Sequence, residues 1–267
     1  LKVLQLFYEW VKSGFALDLP AKTDLLLPFI KEVSYPLGMM GFIILSYLVI
    51  VGSSNAVNLT DGLDGLAAGI VAISGAAFFA FAYLLAVIYG FSRAGAPSLI
   101  TAVLVGICLG FLPHNISPAK IFMGDSGSML LGLLLSAAAI TLTGQVDPNA
   151  ISAEKLGPTL LPLLLPFAVL AIPFLDLLLA VSRRVKAGKS PFAPDNLHLH
   201  HRLLAAGNST NKTALILYLS TATIAFPVTV LAFAPWWVAL ITAAILAATT
   251  SAVFSIKTFG TKEKISA

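Results

Sequence analysis

A chain of 267 residues that is 58% hydrophobic and only 10% charged, with mean hydropathy +0.94, is no ordinary soluble domain, where charged residues run near a quarter. It reads as an all-α, polytopic membrane protein. The net charge of +4 is too small to imply a nucleic-acid partner, so the placement of the charges matters more than their sum.

The chain opens at Leu1 rather than Met and shows no basic segment with a cleavage site, so no signal peptide is read there, and the sequence is expected to be cut from a longer protein. A membrane-crossing helix needs roughly 20 largely apolar residues. On that criterion eight segments qualify: 1–17 (the weakest, with Lys2, Glu9 and Lys12), 36–54, 66–90, 97–113, 129–144, 158–181, 213–235 and 237–256. Pro20, Pro28, Pro36, Pro97, Pro113, Pro158 and Pro235 fall near segment ends, whereas Pro162, Pro166, Pro173 and Pro227 lie inside and predict kinks. The lone Cys108 sits in the apolar run 102–112, so there is no disulfide framework. No repeat and no Gly/Ser-rich linker divides the chain, which is expected to be one membrane-embedded domain over 1–267.

Alternating the segments across the bilayer puts the loops 55–65, 114–128 and 182–212 and the tail after Lys257 on one side. That side holds Lys2, Lys120, Arg183, Arg184, Lys186, Lys189, Arg202, Lys212, Lys257, Lys262 and Lys264; the other holds Lys12, Lys22, Lys31, Arg93 and Lys155. Basic residues concentrate on the cytoplasmic side, so the three polar loops are expected to face the cytosol together.

Each loop carries residues that are costly to keep at a bilayer edge. Asn55, Asn58, Asp61 and Asp64 recur every third residue, which on a helix would gather oxygen donors on one face while Gly62, Gly65 and Gly69 leave another bare for close packing. The plain reading is a helix cap, but one cap needs one residue, not four. Gly124-Asp125-Ser126-Gly127-Ser128 precedes an apolar run, so its backbone N–H groups and hydroxyls suit an anion or a metal-bound phosphate, and a simple cap by Asp125 or Ser128 serves equally well. The tetrad Gly124-Asp125-Ser126-Gly127 also surrounds the nucleophile of chymotrypsin-like proteases, but those are soluble β-barrels. Asp61 to Gly65 brushes against a calcium loop, whose closing Glu would fall at Ala72.

The third loop, Arg183 to Arg202, holds His198, His200 and His201, three of the four histidines; the fourth is His114. With no cysteine nearby and many cations, it suits phosphates better than zinc. A basic cytoplasmic loop would explain the arginines and lysines, though not the His-x-His-His pattern. Asp176, a carboxylate inside an apolar run, is placed either to orient a histidine or arginine or to pair with one structurally. Acidic groups that favour Mg²⁺, beside a basic loop that favours a diphosphate, suggest phosphoryl transfer involving a lipid.

In order and spacing, Asn55 to Gly65, Asn115 to Gly127 and Ser190 to Leu204 resemble three signature regions of the polyprenyl-phosphate N-acetylhexosamine-1-phosphate transferases, and the resemblance covers essentially the whole chain. Pro191-Phe-Ala-Pro194-Asp195-Asn-Leu-His198-Leu-His200-His201-Arg202 resembles the branch that uses UDP-GlcNAc to start O-antigen, enterobacterial common antigen, teichoic acid or arabinogalactan linkers. Residues 20–66 resemble instead the branch that transfers phospho-MurNAc-pentapeptide. The family also has an Asp-Asp pair on an earlier loop, and no Asp-Asp occurs in these 267 residues.

The resemblance implies a multi-pass protein of the bacterial plasma membrane that transfers GlcNAc-1-phosphate from UDP-GlcNAc to a polyprenyl phosphate, releasing UMP, with Mg²⁺, or Mn²⁺ in its place, as cofactor. It implies Asp125 and Asp61 as metal ligands and Asp61, Asp64, Asp125, His200 and His201 as catalytic groups. Asn55, Asn58, Asn115, Lys120, Asp195, His198 and Arg202 would bind substrate. A homodimer is left open. Two rival readings remain: a secondary transporter binding H⁺ or Na⁺ on Asp61, Asp64, Asp125 and Asp176, which predicts carboxylates in mid-helix and pseudo-repeats, and an inactive scaffold.

Overall fold

The computed structural model describes residues 12, 24–26, 34–36, 38–90, 94–143, 171–188, 190 and 198–256. They form the helical membrane bundle the composition demands. Where no water reaches the backbone, a helix satisfies its own peptide groups, and these segments carry little that would compete with it.

Eight helices are described: α1 (Gly38–Thr60), α2 (Leu66–Tyr89), α3 (Gly95–Asn115), α4 (Gly124–Thr143), α5 (Ala171–Lys186), α6 (Leu199–Ala205), α7 (Thr210–Leu231) and α8 (Trp236–Ser255). Among the described residues six of them, α1 to α4 with α7 and α8, are long and apolar enough to cross a membrane. Of the two other expected crossings, 1–17 lies outside the described residues apart from Lys12; 158–181 is described only from 171, where α5 begins. Two boundaries move toward the polar motifs: α1 continues past 54 to Thr60, and α4 starts at Gly124 rather than 129. Pro227 does lie inside α7.

The chain divides into two compact units, residues 1–44 and 45–267. The first contains an antiparallel ribbon the sequence did not announce, β1 (Asp24–Leu26) with β2 (Ser34–Pro36), pairing Asp24 with Pro36, Leu25 with Tyr35 and Leu26 with Ser34. Strands of three residues are too short to show an alternating pattern.

In the second unit α2 is the central element. Its Ala77, Phe78, Phe81, Ala82 and Leu85 are buried in one cluster with Leu104 and Cys108 of α3, Leu131, Leu135 and Leu142 of α4, and Ala225 of α7. Close helix approach relies on small residues, as is usual where lipid removes the hydrophobic drive between helices. A Cβ on Gly132 of α4 would come within 2.6 Å of the Ser54 backbone in α1. By contrast α8 buries little and turns Trp236, Trp237, Leu240 and Ile245 outward, a surface that lipid tails solvate.

Candidate active site

Helix α1 stops at Thr60, whose hydroxyl donates to Ala56 O at 2.8 Å. The expected single acidic helix face is therefore not what forms: Asn55 and Asn58 are on the last turns of α1, while Asp61 and Asp64 lie in the turn that follows. The physical cause is local. Gly65 takes φ +76°, a backbone conformation glycine reaches without penalty, so the chain reverses and starts α2. Asp61 N–H closes onto Asn58 O and Leu66 N–H onto Leu63 O, both at 3.0 Å.

The 114–128 segment grips this turn. The Asn115 carboxamide accepts the Gly65 N–H at 3.0 Å through Oδ1 and donates through Nδ2 to Ile121 O at 2.9 Å. It thereby shapes its own loop while holding the other. Asp64 Oδ2 accepts the Ala119 N–H at 3.1 Å, and the Ser128 hydroxyl in α4 donates to Asn58 Oδ1 at 2.6 Å. From α7 the Tyr218 hydroxyl donates to Gly65 O at 2.5 Å, and its ring fills the space a side chain at Gly69 would need. Of the three glycines expected to form one helical packing face, Gly65 and Gly69 do meet a partner, Tyr218, whereas Gly62 lies in the turn against His200.

Burial first, and then the negative charge of Asp125, push the Asp61 carboxyl up to about 6. Asp125 itself is exposed in the first turn of α4, where the helix dipole favours an anion. A cation beside Asp61 would offset the Asp125 charge that Asp61 feels, so these two carboxylates suit a hard divalent ion. Among the described residues no group of three or more His, Cys, Asp or Glu side chains could hold a metal. Asp61 and Asp125 would thus supply only part of a coordination sphere, the rest falling to substrate or water oxygens, as is common for Mg²⁺.

The third segment reaches the same turn through α6. Buried Asp176 on α5 places Oδ2 3.0 Å from His198 Nδ1 and accepts the Leu199 N–H on Oδ1 at 2.9 Å. Two residues on, His200 is 2% exposed, and its Nε2 has no hydrogen-bond partner. That nitrogen lies over Gly62, where an added Cβ would sit only 2.7 Å from it. Burial, and then the neighbouring His201 and more weakly His198, lower the His200 pKa to about 4 against an opposing pull from Asp176, so the ring is neutral at physiological pH. The His200 and His201 ring centroids are 4.2 Å apart, and the His198 and His200 rings lie parallel at 5.8 Å.

Asn58, Asp61, Asp64, Asn115, Asp125 and His200 therefore come together from three separate segments at one end of the bundle. Asp61, Asp64 and Asp125 sit at or beyond helix ends, not in mid-helix as the transporter reading requires; the fourth carboxylate of that reading, Asp176, does lie buried inside α5. His201 and Arg202 are exposed on α6, and Lys120 is exposed with its N–H donated to His114 O. Asn55 is exposed on α1 and donates to Val51 O. Asp195 lies outside the described residues. Tyr218 and the contact of Gly62 with His200 carry no signal in sequence spacing.

Residues 6–143 match the family described as glycosyl transferase family 4. The decaprenyl-phosphate N-acetylglucosaminephosphotransferase of Mycobacterium tuberculosis (strain CDC 1551 / Oshkosh) is 50% identical over 185 residues, which are 69% of this chain and 46% of the relative. The protein of the same name from Mycobacterium leprae (strain TN) is 47% identical over 200 residues, 72% of this chain and 50% of the relative. That of Mycolicibacterium smegmatis is 48% identical over 191 residues, 71% and 47%. The chain spans about half the length of these curated relatives. The match takes in more than half of the chain and holds the turn, both asparagines that bind it and the Asp61–Asp125 pair, and on it the chain belongs to glycosyl transferase family 4.

Proposed function

We propose that the protein transfers N-acetylglucosamine 1-phosphate from UDP-GlcNAc to a polyprenyl phosphate, releasing UMP, as the first membrane step of a cell-envelope polysaccharide. The observation that carries this reading is the meeting of Asp61, Asp125 and neutral, buried His200 around one turn at one end of a membrane bundle. Relatives named for phosphotransfer of N-acetylglucosamine to decaprenyl phosphate supply the substrate class.

In this reaction an oxygen of the lipid phosphate attacks the β-phosphorus of UDP-GlcNAc. A new P–O bond forms, the bond to the bridging oxygen breaks, and UMP leaves with that oxygen. A phosphate monoester has its second pKa near ~6 and is mostly dianionic at neutral pH, so the nucleophile needs little activation. The task left to the protein is positioning two anions and neutralising charge. Asp61 and Asp125 would hold a divalent cation, Mg²⁺ or Mn²⁺, which when bound offsets the charge of the diphosphate. Asn58, Asp64 and Asn115 keep the Asp61 turn in shape. His201 and Arg202, exposed on α6, would meet the diphosphate, while neutral His200 packs against the Asp61–Gly62 turn and His198 is held by Asp176.

The surplus of lysine and arginine on the loops at this end supports a cytoplasmic site. In a Cys108→Ser background, a membrane-impermeant thiol reagent applied to intact cells should modify Gly95→Cys and spare Asn211→Cys; the reverse pattern would invert the topology. The donor is tested by UMP release from membranes bearing the full-length protein and a polyprenyl phosphate. UDP-GlcNAc should support turnover and UDP-MurNAc-pentapeptide should not, and turnover with the muramyl donor alone would move the protein to the other branch.

A further inference from the structure

The buried carboxylate of Asp176 touches neither the Asp61 turn nor Asp125, yet it contacts the histidine segment at two points. We propose that Asp176 is a positioning residue: it fixes His198 with its proton on Nδ1 and sets where α6 begins, so that His200 comes to rest against Gly62. The proposal deepens the transferase reading and, for its effect on turnover, rests on it.

Three observations carry it. Asp176 is 7% exposed, and a carboxylate so buried in an apolar helix face is held only where its oxygens are matched. Both are: Oδ1 takes the Leu199 N–H at 2.9 Å and Oδ2 lies 3.0 Å from His198 Nδ1. An ionised carboxylate only accepts, so the neutral imidazole facing it must carry its proton on Nδ1 and leave Nε2 as the lone-pair nitrogen. Isolated histidine prefers the other tautomer, so this contact has a definite spectroscopic consequence.

The second contact acts on geometry. Leu199 is the first residue of α6 and His198 its extended N-cap, with ψ 156°. Holding the Leu199 N–H pins the helix start to α5. His200 is then one residue further along a helix of seven, directed at Gly62 with its ring parallel to His198. A slip of α6 by a fraction of a turn would carry His200 off the Asp61–Gly62 turn.

Two substitutions separate positioning from mere burial of a pair. Asp176→Ala removes both contacts. Asp176→Asn keeps the shape: its Oδ1 still accepts the Leu199 N–H, but the group facing His198 becomes an NH₂ donor, which forces the proton to Nε2. If Asp176 only filled space and capped α6, the Asn variant would behave as the wild type.

The test uses full-length protein in lipid nanodiscs with ¹⁵N-labelled histidine rings, under alkaline conditions where imidazoles are neutral, and the His198 signals assigned by their loss in His198→Gln. The Nδ1–H tautomer is expected in the wild type and the Nε2–H tautomer in Asp176→Asn. UMP release by Asp176→Asn should fall about 10- to 100-fold in kcat, with KM for each substrate changed less than about threefold, the size of effect that follows loss of a group orienting a metal-bound histidine. An Nε2–H tautomer in the wild type, or wild-type kcat in Asp176→Asn, would overturn the proposal. Should Asp176→Ala fail to fold, the Asn variant still decides the matter. A wild type with the Nδ1–H tautomer but no UMP release would refute the transferase reading and leave the positioning of His198 standing.

Discussion

Tyr218 donates its hydroxyl to the carbonyl of Gly65, 153 positions earlier in the chain, at 2.5 Å, while Asn115 takes the N–H of the same glycine at 3.0 Å. Both faces of the Gly65 residue are thereby tied to other helices, and the turn bearing Asp61 and Asp64 cannot shift without breaking one tie. A buried acceptor deprived of its donor costs about 1–3 kcal/mol. Tyr218→Phe keeps the ring over Gly69 and removes only the donor. Its thermal unfolding midpoint should drop and UMP release should fall with it; unchanged values for both would mean that the tie contributes nothing.

The contact of His200 with Gly62 makes a second substitution informative. Gly62→Ala puts a methyl 2.7 Å from His200 Nε2, so the ring must move. Misplacing a group in a site by about 1 Å can cost about 100-fold in rate. Turnover should therefore fall at least about tenfold while the protein stays folded. Gly106→Ala on α3, where nothing lies within 4 Å, serves as control and should leave turnover unchanged. Equal rates in the two variants would remove His200 from the site.

A pH dependence of stability follows from the same ring. The His200 pKa falls from 6.5 in the unfolded chain to about 4 in the folded one. Between these values the unfolded state binds more protons, so folding stability is full above pH 6.5 and declines as pH falls toward 4. His201 and His198 deepen the effect and Asp176 opposes it. Unfolding midpoints measured across this window should decline more steeply for the wild type than for His200→Gln, and parallel curves would contradict a neutral, buried His200.

For the cation, Asp125→Asn removes charge with little change of shape. Loss of one preorganised electrostatic element costs about 100- to 1,000-fold in kcat. UMP release should drop by that much with the unfolding midpoint retained, and the residual rate should need more Mg²⁺. Wild-type rate with an unchanged Mg²⁺ requirement would place the cation elsewhere.

How much of this was legible in the sequence varies with the physics behind each feature. Six of the eight expected crossing helices were, because a long apolar run in lipid has no backbone solution other than a helix or a closed barrel. The three polar loops were also legible, since charge at a bilayer edge is rarely incidental. The three-residue spacing from Asn55 to Asp64 suggested a helix face and misled, because Gly65 at positive φ ends the pattern in a turn. Asp176 drew notice as a buried carboxylate, but its partner stands 22 positions away across the segment before α6, and no spacing rule reaches it. Tyr218 drew none: one tyrosine in an apolar helix looks like core until its hydroxyl is seen against Gly65.

The central claim, transfer of sugar and phosphate together, is tested most directly with UDP-GlcNAc labelled with ³²P in the β-phosphate and ¹⁴C in the sugar. Full-length protein with Mg²⁺ and a polyprenyl phosphate should carry both labels into the extractable lipid in equimolar amounts, with unlabelled UMP released. Lipid bearing ¹⁴C without ³²P, with labelled UDP left behind, would show transfer of the sugar alone and contradict the account.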